Sequence, residues 1–159
     1  MTTHTRATSV TATTTVEVPI DHAFTVFTDG IGTWWNADHH IIEAPLSHMV
    51  FEPFVGGNVF DVGTDGSECR WSRVLAYDPP SRVVFSWDIN PRWQVEPDPA
   101  KCSEVEVTFT AEGPSTTRVV LEHKHLDRHG DGWTTLPEAM AQGWQAGGLD
   151  LFAAECVRG

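Results

Sequence analysis

The chain has 159 residues, enough for one domain with a single buried core, and its 40% hydrophobic content excludes wholesale disorder. No apolar run approaches the roughly 18 residues that a membrane-spanning helix needs, and the polar N-terminus lacks the apolar segment of a secretory signal. The net charge of −12 repels nucleic acid and anionic lipid, so neither nucleic acid nor a membrane is an expected partner.

The N-terminal part of the chain is predicted to form one strand and two short helices. Residues 1–8 are polar and are expected to be flexible. Alternating valines and threonines predict a half-buried strand over 9–18. A helix over 21–27 follows, begun by an aspartate and broken by Asp-Gly. A further helical turn is predicted to carry Ile31, Trp34 and Trp35.

The middle of the chain reads as strands separated by turns rich in glycine, proline and aspartate, with no helical period. Six strands are predicted, over 48–52, 58–62, 68–77, 82–89, 104–110 and 117–126. Consecutive hairpins imply an antiparallel sheet. Because the helices lie at the two ends of the sequence, the fold class is predicted to be α+β.

Residues 135–157 are predicted to form one long helix around which the sheet curls. Thr135 and Glu138 are expected to start it as a capping box. Three- and four-residue steps put one set of residues on a single face. This set comprises Met140, Trp144, Gly147 or Gly148, Leu151 and Glu155.

Three glycines, Gly143, Gly147 and Gly148, lie inside this helix, where each is disfavoured by about 1 kcal/mol relative to alanine. They leave room either for close packing or for a ligand. If Gly147 and Gly148 border a pocket, alanine at one or both should be neutral or stabilising, and Gly147→Leu should abolish binding in a folded protein. If they only allow close packing, added side chains should cost about 1–3 kcal/mol.

The order of these elements and seven stretches of sequence resemble the helix-grip (START-like, SRPBCC) superfamily, and within it bacterial proteins similar to the activator of heat-shock protein 90 ATPase. The stretches are VEVPIDHAFTVFTDGIGTWW (16–35), FEPFVGG (51–57), DG (65–66), RWSRVLAYDPPSRVVFSW (70–87), SEVEVTFT (103–110), TRVVLEHKHLDRHGDGW (117–133) and GWQAGGLDLF (143–152). The resemblance implies a single domain over 9–157. In that fold a curved seven-stranded antiparallel sheet wraps around a long C-terminal helix, with two short helices after the first strand.

Inward-facing side chains of such a sheet and helix line whatever cavity remains between them. The candidate ligand-binding residues are Trp34, Trp35, Phe51, Phe60, Trp71, Phe85, Trp87, Phe109, His123, His125, Trp144, Gly147, Gly148 and Leu151. Trp34 and Trp35 are expected at the mouth. The alternative is that these aromatic residues simply fill the core, as aromatic residues usually do.

His123 and His125 are the most distinctive polar residues, because their two-residue spacing on a strand directs both rings to one face. They are either a hydrogen-bonded core pair, ligand contacts, or part of a metal site. The last needs a third ligand from Glu52, His48 or Cys69, and no metal site is predicted. As a ligand contact, an imidazolium would make the binding of an anionic aromatic compound weaken as pH rises between about 5 and 8.

Two further polar pairs and the cysteines complete the candidates. Glu52 and Arg73 form a candidate ion pair inside the sheet, which would orient a polar ligand. His39 and His40 are adjacent, so on an extended chain they face opposite ways and cannot bind one ion. Three scattered cysteines do not suggest a disulfide framework, so a reducing cytoplasm is expected.

The leading interpretation is a cytoplasmic protein that binds a small hydrophobic or aromatic molecule in an aromatic-lined cavity between the sheet and the C-terminal helix. The first alternative is a cyclase- or hydratase-type enzyme with His123 or His125 as general base. The second is a co-chaperone-like interaction module that uses an exposed apolar face. No phosphate loop, dinucleotide fingerprint or nucleophile elbow occurs, so no cofactor is predicted. The oligomeric state, with a homodimer as one option, stays open.

Overall fold

The computed structural model of the protein describes residues 8–36 and 40–158. Apart from Thr8, the N-terminal residues expected to be flexible lie outside this range, as does His39. The chain begins with β1 (Val10–Val16), α1 (Ile20–Phe27) and α2 (Ile31–Trp34). Six strands follow: β2 (Leu46–Phe51), β3 (Asn58–Gly63), β4 (Glu68–Asp78), β5 (Arg82–Trp87), β6 (Ser103–Gly113) and β7 (Thr116–Lys124).

All seven strands form one antiparallel sheet in the order β1-β7-β6-β5-β4-β3-β2, which confirms the predicted α+β architecture. Its curvature has a local cause on β4. The pairing register slips by one residue at Trp71 against β3 and at Leu75 against β5. Such bulges bend a strand and increase its twist, so the two slips help the sheet to curl over the C-terminal helix.

The long C-terminal helix is present, but it has three parts. α3 (Leu136–Trp144) passes through a five-residue π-helical turn (Gln145–Leu149) into α4 (Asp150–Arg158). None of the helices in the described parts of the chain is long and apolar enough to cross a membrane. Gln145 fixes the π turn to the edge of the sheet, since its amide oxygen accepts from the Thr13 N–H at 3.4 Å and its amide group donates to the Thr13 carbonyl at 3.3 Å.

The π turn changes which residues of the helix are buried. A π turn holds one residue more than an α turn, so every side chain after it moves by one position around the axis. The predicted inward positions Leu151 and Glu155 are therefore wrong. Leu151 is 38% exposed, whereas Phe152 and Cys156 are buried against the sheet.

The predicted capping box at the start of the helix is also wrong. A single turn of 3₁₀ helix (Trp133–Thr135) leads into α3, so Thr135 already has helical backbone angles, φ −84° and ψ −15°. A capping side chain needs extended backbone to reach the free N–H groups. The Thr135 hydroxyl instead donates to the Gly132 carbonyl at 2.9 Å.

One group of aromatic rings fills much of the space between sheet and helices. Phe27 is at its centre, with Phe152 at 5.4 Å, Trp34 at 5.0 Å and Phe109 at 5.8 Å between ring centroids. Phe85 lies between this group and a second group, made of tryptophans. The phenylalanine-centred group is buried, whereas the tryptophan group borders open space.

Candidate functional site

A cavity of about 690 Å³ lies beside α3 and the π turn, on the side where the tryptophans meet the helix. Its volume is within the range usual for small-molecule sites, about 300–1,000 Å³. Five residues predicted from the sequence line it: Trp35, Trp87, Trp144, Gly147 and Gly148. The other lining residues were not among the predicted site residues: Asn36, His40, Ile41, Ile89, Trp93, Ala139, Met140, Gln142 and Gly143.

The tryptophan walls are held in place by one another. Trp144 meets Trp35 and Trp87 edge-on, each at 5.7 Å between ring centroids. Trp71 lies behind them, 5.1 Å from Trp35 and 5.6 Å from Trp87. Edge-to-face pairs of this kind contribute about 0.5–1.5 kcal/mol beyond their burial. Three walls of the cavity are therefore rigid before any ligand arrives, while Trp93 is 56% exposed at its edge.

The helix glycines play different roles at this wall. A methyl group built on Gly143 would meet no atom within 4 Å, so this glycine borders open space. A methyl group on Gly148 would lie 3.1 Å from Cε3 of Trp144, which is closer than an ordinary van der Waals contact. Gly148 therefore allows the Trp144 ring to pack against the helix. At Gly148 a neutral alanine substitution is therefore not expected, at Gly147 it stays a prediction, and Gly143 is a further position where alanine should be neutral.

Trp144 is the end of a buried chain of hydrogen bonds. Its indole N–H donates to His123 Nδ1 at 3.1 Å, so neutral His123 carries its proton on Nε2 and donates to Ser103 Oγ at 2.7 Å. The Ser103 hydroxyl then donates to His129 Nε2 at 2.6 Å. This chain fixes the angle of the Trp144 ring from behind the cavity wall.

His123 is fully buried in this chain and does not line the cavity. Burial, together with the nearby His129 ring, lowers the pKa of His123 to about 3. The ring is therefore neutral between pH 5 and 8. Of the alternatives left open for His123, the structure has the hydrogen-bonded core histidine, so the pH-dependent anion binding that a His123 ligand contact would give is not expected.

His125 does not share a face with His123, so that prediction is also wrong. β7 ends at Lys124, and His125 has left-handed backbone angles, φ 62° and ψ 37°, which turn the chain out of the sheet. Its half-exposed ring lies 3.5 Å from the carboxylate of Glu104. The period-two rule holds only while the backbone stays extended.

Most other candidate residues lie outside the cavity. Trp34, Phe51, Trp71, Phe85 and Phe109 are part of the buried core.

Phe60 alternates with the inward Val59, so it faces away from the core, and the Arg70 guanidinium covers its ring at 4.4 Å. The π turn exposes Leu151, as described above.

The predicted Glu52–Arg73 ion pair is wrong. The Arg73 guanidinium binds both carboxylate oxygens of Asp88, each at 3.1 Å. Glu52 accepts from the Asn58 backbone N–H at 2.8 Å. Within residues 8–36 and 40–158, no three His, Cys, Asp or Glu side chains are close enough to hold a metal ion.

A different histidine, His40, does line the cavity. His40 Nδ1 is 2.8 Å from Oδ2 of Asp61, a residue that is only 1% exposed. The indole N–H of Trp71 donates to the other Asp61 oxygen at 3.4 Å. A signal for this pair was in the sequence. Asp61 alternates with Val59 on the inward face of its strand, and a buried carboxylate needs a hydrogen-bonding partner.

One cavity residue, Trp87, also carries a buried hydrogen-bond donor. Trp87 Nε1 is shielded from solvent and has no hydrogen-bond partner in the part of the chain that the structure describes. Buried polar groups are almost always satisfied, by protein, by water or by a ligand. The Trp87 side chain lines the cavity, but its Nε1 is closed to solvent, so a bound molecule supplies the missing acceptor only if binding opens a path to this nitrogen.

Known proteins share this fold and much of this sequence. The family model for Activator of Hsp90 ATPase homolog 1-like protein matches residues 17–154. The anthrahydroquino-gamma-pyrone synthase Txn09 is 36% identical with a TM-score of 0.66, over 94% of this chain and 97% of that chain. The self-sacrificing resistance protein CalC from Micromonospora echinospora is 27% identical with a TM-score of 0.63, over 93% of each chain. No curated protein matches the chain. The chain therefore belongs to the Activator of Hsp90 ATPase homolog 1-like family, within the helix-grip superfamily.

Proposed function

We propose that this protein binds a planar polycyclic aromatic molecule of the anthraquinone type in the tryptophan-walled cavity. The observation that carries the proposal is the cavity itself. Rigid indole rings of Trp35, Trp87 and Trp144 border about 690 Å³ of open space beside a helix that presents glycines. Flat aromatic surfaces are what such walls bind, through offset stacking and edge-to-face contacts.

The polar groups at the cavity fit a ligand that carries oxygen atoms. Asn36, His40 and Gln142 lie on its lining, and Trp87 Nε1 is a buried donor that ligand binding would have to uncover before it could meet an acceptor. A carbonyl oxygen of a quinone is such an acceptor. An apolar pocket with a few polar groups is the usual form of a small-molecule site, because the polar groups set the orientation of the ligand.

The relatives support the same ligand class. Txn09 is by its name an anthrahydroquino-gamma-pyrone synthase, and its sequence aligns with nearly the whole of this chain at 36% identity. This identity favours a second candidate function for the same cavity, closure of an oxygen-containing ring on a bound aromatic molecule. The three free cysteines are consistent with the cytoplasmic location that forms part of the proposal.

Titration with 9,10-anthraquinone, followed by quenching of tryptophan fluorescence, tests the proposal. The wild type should bind. Trp87→Phe keeps an aromatic wall and removes the donor, so its affinity should fall about 2- to 12-fold, equivalent to the roughly 0.5–1.5 kcal/mol of one hydrogen bond.

Anthracene is the matched ligand, since it has the same shape and no carbonyl, and Trp87→Phe should leave its affinity unchanged. Trp133→Phe is the control variant for the loss of one tryptophan, because Trp133 does not line the cavity. Absence of binding in the wild type would contradict the proposed function. An equal loss of affinity for both ligands would contradict the role of the Trp87 donor.

A further inference from the structure

His40 is the one residue among the described cavity lining with an acid–base side chain, and histidine is the side chain that most often serves as a general base. All other described lining residues are tryptophan, amide, aliphatic, methionine or glycine. Any acid–base step on a molecule held in this cavity by the described residues therefore depends on this ring.

The contacts of His40 fix which nitrogen accepts the proton. The Asp61 carboxylate is an acceptor only, so at 2.8 Å it binds the protonated Nδ1 of His40. The lone pair of the neutral ring then lies on Nε2, which has no hydrogen-bond partner in residues 8–36 and 40–158. Trp71 anchors the Asp61 carboxylate through its second oxygen. A buried carboxylate behind an imidazole both orients the ring and stabilises the imidazolium once it forms.

We propose that His40 is the general base of this cavity and takes the proton from a phenolic hydroxyl of the bound aromatic molecule, with Asp61 as its positioning residue. This inference rests on the proposed function, and it narrows the ligand class to hydroxyaromatic compounds. The phenolic O–H bond breaks and its electron pair stays on oxygen. A new N–H bond forms at His40 Nε2. The imidazolium then lies between the phenolate and the Asp61 carboxylate.

This proton transfer produces the nucleophile for the second candidate function. A phenolate oxygen can attack a carbonyl carbon on a neighbouring side chain of the same molecule, forming a C–O bond while the carbonyl electron pair moves to its oxygen. That oxygen takes the proton back from His40 Nε2, which gives a cyclic hemiketal. Loss of the hemiketal hydroxyl together with a hydrogen from the adjacent carbon, as water, would leave a C=C bond in the closed ring, and no oxidant, reductant or co-reactant is required.

The ionisable groups around the His40–Asp61 pair come from neighbouring strands. Asp61 itself faces His40 from β3. Cys69, on β4, is the next group, and its thiol pKa is raised by burial and by the Asp61 charge, so the thiol stays neutral. His123 is not on the cavity, and both of its ring nitrogens are engaged with Trp144 and Ser103.

The visible spectrum of 2-hydroxyanthraquinone tests the proposal, because the absorption of this dye moves to longer wavelength when its hydroxyl ionises. Bound to the wild type, the dye should ionise at a pH at least about one unit below that in His40→Gln, the size of shift that an adjacent opposite charge produces. Asp61→Asn keeps an acceptor for Nδ1 and removes the charge, so its midpoint should also move up. His48→Gln, which removes a surface histidine, should match the wild type.

9,10-Anthraquinone, which has no hydroxyl, separates the possible failures. Retained binding of it by His40→Gln and Asp61→Asn shows that the variants are folded with an intact cavity. If both dyes bind and the ionisation midpoint is the same in the wild type and His40→Gln, the general-base role is overturned while the binding function stands. If neither dye binds the wild type, the proposed function fails and this inference fails with it. If His40→Gln does not bind anthraquinone, the ionisation midpoint of 2-hydroxyanthraquinone bound to Asp61→Asn decides the outcome. A midpoint above that of the wild type supports the general-base role, and an equal midpoint overturns it.

Discussion

Replacing Gly143 with leucine should abolish anthraquinone binding while the protein remains folded. Gly143 lines the cavity, and no atom lies within 4 Å of the position of its missing Cβ. The Cβ of a leucine at this position therefore meets no neighbouring side chain, and the rest of the side chain is expected to extend into ligand space. Affinity should fall roughly 100-fold or more, about 2.7 kcal/mol. Thermal stability should be unchanged or higher, because leucine favours the helix by up to about 1 kcal/mol over glycine.

The controls separate a blocked cavity from a damaged helix. Gly143→Ala adds a single methyl group and should bind with little loss. Ala141→Leu adds bulk to an exposed position of α3 that does not line the cavity, and should bind as the wild type does. Strong binding by Gly143→Leu would show that the ligand occupies another place. Loss of more than about 2 kcal/mol of stability in Gly143→Leu would show overpacking, and hence no open space at this wall.

Acidification from pH 7 to pH 5 should destabilise the protein through His123. The folded-state pKa of this ring is about 3, and the ordinary value is 6.5. Below pH 6.5 the unfolded chain therefore binds a proton that the folded chain does not bind. The stability contributed by the neutral ring is fully present above pH 6.5 and falls as pH drops towards 3. For one such group the loss between pH 7 and pH 5 is about 2 kcal/mol. Burial lowers the pKa of His129 as well, which adds to the loss.

Urea unfolding at the two pH values measures this effect as the difference between variants. His123→Gln should be less stable than the wild type at pH 7, because the chain between Trp144 and Ser103 is broken, but its further loss on acidification should be smaller by about 2 kcal/mol. His129→Gln should also lose less stability on acidification than the wild type, and the difference should be smaller than for His123→Gln. His48→Gln controls for removal of a surface histidine. A wild-type loss that His123→Gln leaves unchanged would contradict the neutral, buried state of His123.

The sheet and the extent of the helices could be predicted because their signals are local and repeated. In β6 the alternation of Val105, Val107 and Phe109 with polar residues leaves one register that buries the apolar side. The turn residues between strands then require neighbours to run antiparallel. The same local patterns predicted that Trp35, Trp87 and Trp144 face the space between the sheet and the helix.

The site itself depends on features that repeat nowhere in the sequence. A π turn and an α turn fit Gly147 and Gly148 equally well, and the choice between them exchanges Leu151 for Phe152 at the sheet. The left-handed backbone of His125 is a single-residue event at the end of a strand.

His40 and Asp61 are 21 residues apart, and His40 lies in a loop with no periodicity, so only the inward position of Asp61 hinted at a partner.

The central claim is that a planar aromatic molecule lies among the cavity tryptophans, and the indole N–H signals test it directly. The protein has seven tryptophans, so a ¹H–¹⁵N spectrum shows one indole signal for each. On saturation with 9,10-anthraquinone, the four signals of the cavity wall should move most, those of Trp35, Trp87, Trp93 and Trp144. Trp34, whose indole donates to the Val26 carbonyl inside the core, and Trp133 should move little. Larger shifts at Trp34 or Trp133 than at the cavity wall, or no shifts at all, would contradict the claim.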